Sequence, residues 1–301
     1  MTAIQSHSMS VCPGTVDSPV QPVRGASPYV GATTEISPAI RSWRTISRST
    51  WARREIVAFL AWRDIRARYH QTILGTFWTL VQPLATTLVY AVVFGKLVKI
   101  QSDGFPYPIF VMTGLVPWTF MATAIQRSST SLVANGGLIK KVAFPRLAVP
   151  MAAVLTGLVE FGAACIVLIP VMLYYSVFPS LSLLFLPVIL VLSGAMILGV
   201  GLLLASINCR FRDVTHGIAF AMQMWMFLTP IIYPFSSVPE RYQGWVQCNP
   251  MTGLIGGFRA ALLGTPLDMT ALGLSAAFAA LFLTIGGAAF RRAEHSAADV
   301  L

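Results

Sequence analysis

The sequence predicts an all-α polytopic membrane protein: six transmembrane helices, an amphipathic interface helix before them, and short re-entrant gate helices between spans five and six. Three observations carry this. Charged residues make up 11% of 301 positions and hydrophobic residues 55%, whereas a soluble surface needs about a quarter to a third of its positions charged. Uncharged runs recur at lengths that cross a bilayer, for which about 20 residues suffice. The Lys and Arg residues flanking those runs fall mostly on alternate sides. A soluble enzyme is thereby excluded.

Residues 1–36 are rich in Ser, Pro, Gly, Thr and Val, with two acids and one Arg, and hold no apolar core of signal-peptide length. They read as a disordered cytoplasmic tail. Residues 37–70 form the interface segment, opened by Ser37 and Pro38 as a helix start. Within it, WARREIVAFLAWRDIRARY interleaves Arg53, Arg54, Arg63, Arg66 and Arg68 with Trp51, Phe59, Leu60, Trp62, Ile65 and Tyr69. That mixture suits a helix lying among anionic headgroups.

Residues 71–292 hold the six spans. Gln71 to Gly95 and Gly104 to Gln126 are both free of formal charge and long enough to cross. Leu147 to Cys209 carries Glu160 as its one charge and is far longer than a single crossing, so two helices meet at a turn over residues 176–180. Val214 to Pro239 and Met269 to Phe290 supply the fifth and sixth runs. Tyr242 to Phe258 is uncharged but studded with Gly, Gln, Asn and Pro, too polar and short to span. It reads as short helices dipping in from the outer face, since irregular backbone at membrane depth must be shielded by protein or face water. Residues 293–301 form a second cytoplasmic tail.

Orientation follows from cations. Seventeen Lys and Arg flank one side of the spans; the other side holds Lys96, Lys99, Arg241 and Arg259. Both termini are therefore expected in the cytoplasm. The same placement explains the net charge of +10 as membrane orientation rather than nucleic-acid binding. Four scattered cysteines and four scattered histidines give no metal-type spacing.

The chemistry on the chain is sparse. A phosphate-binding loop needs GxxxxGK[ST]. Of the four lysines only Lys96 follows a Gly, and Leu97 stands where Ser or Thr is required. No nucleotide site is expected here, no cofactor, and no catalytic site. Glu160 is the one intramembrane acid, either a substrate or gating contact or a carboxyl bonded to a neighbouring helix. In the loop SLVANGGLIKKVAFPRL, Asn135 to Gly137 supply a turn, and Leu138, Ile139, Lys140, Lys141 and Val142 form a short apolar-basic element. It is either a docking surface for a partner or a membrane-surface turn.

The strings WRDIRARYHQTILGTFWTLVQPL, PYPIFVMTGLVPWTF, LIKKVAFPRL, NCRFRDV, TPIIYP and CNPMTGLIGGFRAALLG occur in that order between Trp51 and Gly264. Together they closely resemble the ABC-2 type permeases of bacterial polysaccharide export, which carry O-antigen, capsule and teichoic acid across the inner membrane. The resemblance implies a homodimer, each subunit paired with a cytoplasmic ABC ATPase that holds ATP and Mg. It implies that Leu138 to Val142 is the coupling helix seated in that ATPase, and that Tyr242 to Leu263 forms outer gate helices. Under this resemblance Tyr90, Phe94, Tyr107, Phe110, Trp118, Phe120, Trp225, Phe227 and Tyr233 become channel candidates, since sugar rings stack on aromatics. Their other reading is lipid-facing or belt aromatics. Arg63, Arg66, Arg68, Arg210 and Arg212 become candidates for a lipid-anchor pyrophosphate, although orientation alone places cations there too. A drug or lipid exporter of the same family is the alternative. A membrane glycan transferase is less well supported, because Asp64 and Asp213 each lack a second catalytic partner.

Overall fold

The computed structural model describes residues 51–70, 77–142, 144–179, 181–211 and 213–300. The tail boundary expected at residues 36–37, with Ser37 and Pro38, lies outside the described residues, whereas the helix Met269–Val300 runs without a break through the boundary expected at residues 292–293. Among the described residues all regular structure is helical. In order these are α1 (Arg54–His70), α2 (Phe77–Tyr90, running on as a π-helical turn, Ala91–Leu97), α3 (Tyr107–Ala134), α4 (Gly136–Lys141) and α5 (Ala148–Tyr174). A 3₁₀ turn (Leu181–Phe185) leads into α6 (Leu186–Arg210), followed by α7 (Val214–Leu228), α8 (Glu240–Cys248), α9 (Pro250–Leu263) and α10 (Met269–Val300).

Among the described residues four stretches are long and apolar enough to cross a membrane: α3, α5, α6 with its leading turn, and Met269–Ala293 of α10. Two further apolar helices are shorter, Val81–Leu97 and α7. The expected turn at residues 176–180 falls between α5 and α6, and Ser176 turns there with a φ of 55°.

The fifth apolar run needs correction. Its helix stops at Leu228, after 15 residues, about 22 Å at 1.5 Å per residue. The cause is local. Pro230 disfavours helical geometry in the residue before it, and Thr229 is extended at φ −101° and ψ 137°. Residues 229–234 then run as irregular backbone to a 3₁₀ turn at Phe235–Ser237.

α3 is the spine. It packs on α5 and α6 and meets α7 and α9, and most of its length is buried. α6 pairs most extensively with α10, and glycine makes the approach possible. A Cβ on Gly199 would lie 2.6 Å from the backbone nitrogen of Leu283. Small residues of this kind let membrane helices close on one another when no hydrophobic force distinguishes them from lipid.

α1 has two apolar faces. Val57, Leu60 and Ala61 are buried against Ala148, Val149 and Ala152 of α5. On the opposite face Phe59 and Trp62 are 66% and 63% exposed, three residues apart and so on one side at 3.6 residues per turn. Trp51, just before α1, is 67% exposed.

Candidate functional site

The irregular stretch after α7 is held by side chains from two other helices. Away from a helix, its carbonyls need donors. Arg259 of α9 donates from Nη1 to the Pro230 carbonyl at 2.7 Å and from Nη2 to the Ile231 carbonyl at 2.6 Å. The Tyr107 hydroxyl donates to the next carbonyl, Ile232, at 2.8 Å. The Arg259 guanidinium, only 8% exposed, also stacks on Phe110 at 3.9 Å from the ring centroid. Gly114 makes room: a Cβ there would sit 2.9 Å from Nη2 of Arg259. Helices α3, α7 and α9 thus converge on one arginine.

A second knot lies beside it, at the start of α9. Asn249 caps that helix by accepting from the Met251 amide at 3.1 Å. The same Oδ1 accepts from the Trp225 indole at 2.9 Å, and Nδ2 donates to the Thr229 hydroxyl at 3.0 Å. Trp225 meets Trp118 edge-on, with centroids 6.5 Å apart. Tyr242 to Phe258 falls within α8 and α9, and α9 is almost wholly buried.

The nine channel candidates divide. Tyr107, Phe110, Trp118 and Phe120 are buried within the chain's own helices. Phe120 packs on Phe161, which packs on Phe258. These four are core residues of the subunit as well as candidates. Phe227 is 47% exposed, whereas Tyr90, Phe94, Trp225 and Tyr233 are half-buried. Tyr90 and Phe94 meet edge-on at 5.7 Å.

At the opposite, basic end, Glu160 is held from two helices. Arg68 of α1 pairs with one of its oxygens, and Arg127 of α3 with the other at 2.7 Å. Of its two readings, the structure therefore displays the interhelical one. Arg63 pairs with Asp64 at 2.7 Å and donates to the Asn135 side chain at 2.7 Å, tying α1 to the α3–α4 turn. Arg66 is exposed. Arg210, also exposed, lies 5.7 Å from the Phe211 ring. Arg212 lies outside the described residues. Asn208 links three helices, donating to the Ser129 carbonyl at 3.2 Å and accepting from the Thr215 hydroxyl at 2.9 Å.

The short element after the Asn135 turn is helical, as α4. Leu138 packs against the cluster of Val57 and Leu60, and Ile139 against Leu132, Leu147 and Phe290. Both are half-buried by their own subunit. Lys141 and Val142 are exposed. The Lys140 side chain lies outside the described residues.

Residues 56–263 match the ABC-2 type transporter family. The chain belongs to that family. The match begins in α1 and ends with the last residue of α9, so it takes in both knots and the Glu160 cluster. The chain is similar to the O-antigen export system permease protein RfbA of Klebsiella pneumoniae, 25% identical over 248 residues, 82% of this chain and 95% of the relative. RfbA of Myxococcus xanthus is 28% identical over 215 residues, 71% of this chain and 82% of the relative. The polysialic acid transport protein KpsM of Escherichia coli is 25% identical over 238 residues, 78% of this chain and 92% of the relative.

As an ABC-2 transporter, the chain is a multi-pass membrane transport component. Three of its organising residues are not evident from sequence. Arg259 counts there only as an outer flank cation, Arg127 counts only toward orientation, and Asn249 counts only among the polar residues that keep its segment from spanning. One signal is available: Arg259 is a lone charge inside the apolar run LIGGFRAALL, and a cation placed there must find partners.

Proposed function

We propose that this chain is the membrane-spanning permease subunit of an ATP-driven exporter carrying lipid-linked polysaccharide across the bacterial inner membrane. The observation that carries the reading is collinear similarity, over 71% to 82% of the chain, to permeases named for O-antigen export and polysialic acid transport. Permeases of this class work with an ATPase subunit, and ATP and Mg belong on that partner.

In this reading α2 and α7 complete six crossings, and the end bearing α1 and α4 faces the cytoplasm with both termini. Two copies pair, leaving the cargo path between them. α7 supports this: within its subunit it buries only Ile218 and Met222, so most of its surface awaits lipid or a second copy. The path is lined by the aromatics that the subunit does not bury for itself, Tyr90, Phe94, Trp225, Phe227 and Tyr233. Stacking suits a sliding polymer, because each contact contributes only about 0.5–1.5 kcal/mol and tolerates different rings. Lys141 and Val142, at the end of α4, touch the ATPase, while Leu138 and Ile139 anchor α4 to the subunit.

The test is transport by the reconstituted complex. Permease and partner ATPase in vesicles should move lipid-linked glycan to the far side with ATP and not without it. An ATPase stimulated by small lipids or drugs, with glycan left in place, would establish the alternative exporter instead.

A further inference from the structure

A groove of about 630 Å³ opens at the end of the subunit opposite α1 and α4, within the roughly 300–1,000 Å³ that small-molecule sites occupy. One wall is the chain leaving α2, residues 98–101. The other is the irregular stretch after α7 together with one side of α8. Its polar groups are unused. Lys99, Gln101, Ser237 and Tyr242 line the groove, and none of their side chains makes a hydrogen bond among the described residues. Their neighbours are occupied. Gln243 donates to the Val238 carbonyl at 2.9 Å, and the Ser236 hydroxyl donates to Asp103 at 2.6 Å. Tyr233, also in the lining, donates its hydroxyl to the Phe227 carbonyl at 3.3 Å, so it offers a guest its ring.

The lining holds one cation, Lys99, and no acid. Lys99 is set firmly. Its backbone lies in the left-handed region at φ 59°, which L residues keep only where the surroundings over-determine it. The amides on either side, of Val98 and Ile100, donate to the Val93 and Phe94 carbonyls at 3.0 and 2.9 Å. Arg241 lies 5.5 Å from the Tyr242 ring centroid and adds a second cation at the rim. Across residues 96–103 and 233–246 three cations stand against two acids, Asp103 and Glu240, and Asp103 already accepts from Ser236.

Two phenol rings therefore stand beside an ammonium, an amide and two hydroxyls, with apolar lining from Ile100, Val238 and Val246. A neutral guest would leave Lys99 without a counter-charge. A small inorganic anion would leave the rings and the apolar lining unused. A sugar carrying a carboxylate uses all of them: its C–H face stacks on aromatics, and its acid pairs with the ammonium.

We infer that this groove holds an acidic sugar, a pyranose bearing a carboxylate, of glycan that has crossed the membrane. The inference rests on the reading of the chain as a glycan exporter and narrows its cargo to acidic polymers. Lys99 takes the carboxylate, and Tyr233 and Tyr242 take the ring. One exposed ion pair is weak, so each sugar is held briefly and the polymer still slides.

The experiment uses the full-length chain in phosphatidylcholine nanodiscs, where no anionic lipid competes. Saturation-transfer NMR titrations compare tetragalacturonate with maltotetraose. The wild type should bind the acidic tetramer about threefold to fivefold more tightly, the effect of one exposed ion pair. Lys99→Gln should abolish that preference with maltotetraose affinity unchanged, and Lys99→Arg should keep it. Tyr242→Ala should weaken both sugars at least about threefold, as loss of a stacking ring does. Both positions are exposed, so the fold is not at stake. Equal affinity for the two tetramers would overturn the assignment. So would a preference that survives Lys99→Gln, or wild-type binding in Tyr242→Ala. Neither ATP nor the ATPase is present, so the two readings fail separately. Lost acidic preference with glycan transport intact strikes the groove alone, and absent glycan transport strikes the exporter reading whatever the groove binds.

Discussion

Replacing Arg259 by Lys separates the clamp on the broken end of α7 from the mere presence of a buried cation. Lys keeps the charge, and with it the whole cost of desolvation, which for an ammonium is at least as severe as for a guanidinium. What it loses is the fork. One ammonium cannot reproduce donors at 2.7 and 2.6 Å to two successive carbonyls while lying flat on Phe110. One charged hydrogen bond contributes about 1.5–3 kcal/mol and a desolvated cation–π contact about 0.5–2 kcal/mol. The expected loss is therefore about 2–5 kcal/mol, with no compensating gain. Arg259→Met serves as the comparison. It leaves both carbonyls unpaired, at about 1–3 kcal/mol each, but removes the buried charge and its penalty. The Lys variant should thus be the less stable of the two. Reversible unfolding of the chain in mixed micelles, followed by tryptophan fluorescence, measures both. A Lys variant within about 1 kcal/mol of wild type, below the smallest loss expected, or one more stable than Met, would refute the clamp.

The burial pattern predicts that Trp118→Ala destabilises the chain by about 3–5 kcal/mol through the cavity it leaves, whereas Phe227→Ala changes stability by less than about 1 kcal/mol and slows glycan export; unfolding and transport assays on the same pair distinguish them. Lys141→Glu combined with Val142→Asp should abolish permease-dependent stimulation of the ATPase with the fold intact, while Leu138→Ala should lower the melting temperature; unchanged stimulation in the double variant would remove α4 from the contact. An impermeant thiol reagent applied outside intact spheroplasts should label exposed Cys248 and spare Cys209, and the converse labelling would invert the proposed orientation.

Most of the long helices are legible because their signal is bulk hydropathy. Glu160 is the one formal charge between Leu147 and Cys209, and no periodicity argument is needed to place two helices there. The same bulk signal fails at Thr229. Hydropathy continues unbroken through Pro230, Ile231 and Ile232, and only the constraint that Pro230 sets on its predecessor announces the break. It fails again among the aromatics. A membrane helix is apolar on every side, so nothing in the sequence separates Trp118, facing α7, from Phe227, facing outward. Arg259 and Arg127 are hidden for a related reason. Counting cations assigns each to a flank, whereas these two are satisfied only by groups on other elements, the carbonyls of Pro230 and Ile231 and the carboxylate of Glu160. Such partners are remote in the chain and come within reach only once it has folded.

Both ends of the molecule are fastened to α3. At the basic end Arg127 and the capping Asn135 hold Glu160 and Arg63, and α4 follows Asn135 without an intervening loop. At the other end Gly114 and Tyr107 receive Arg259 and the Ile232 carbonyl. The two attachment zones are roughly 30 Å apart along the axis, from Gly114 to Asn135 at 1.5 Å per residue. A helix buried on most sides cannot bend freely, so a pull on α4 must move α3 as a body and carry the junction of α7 and α9 with it. The coupling is measurable because the sites share no contact. Distant, independent changes combine within about 0.3–0.5 kcal/mol, whereas residues acting through one two-state element deviate by about 0.5–2 kcal/mol. Asn135→Ala and Arg259→Lys, made singly and together, should therefore depress ATP-driven export non-additively, the second change doing little once the first has disconnected the helix. Strict additivity in export, with all three variants equally inserted, would mean that the two ends move independently and that α3 is scaffold rather than transmission.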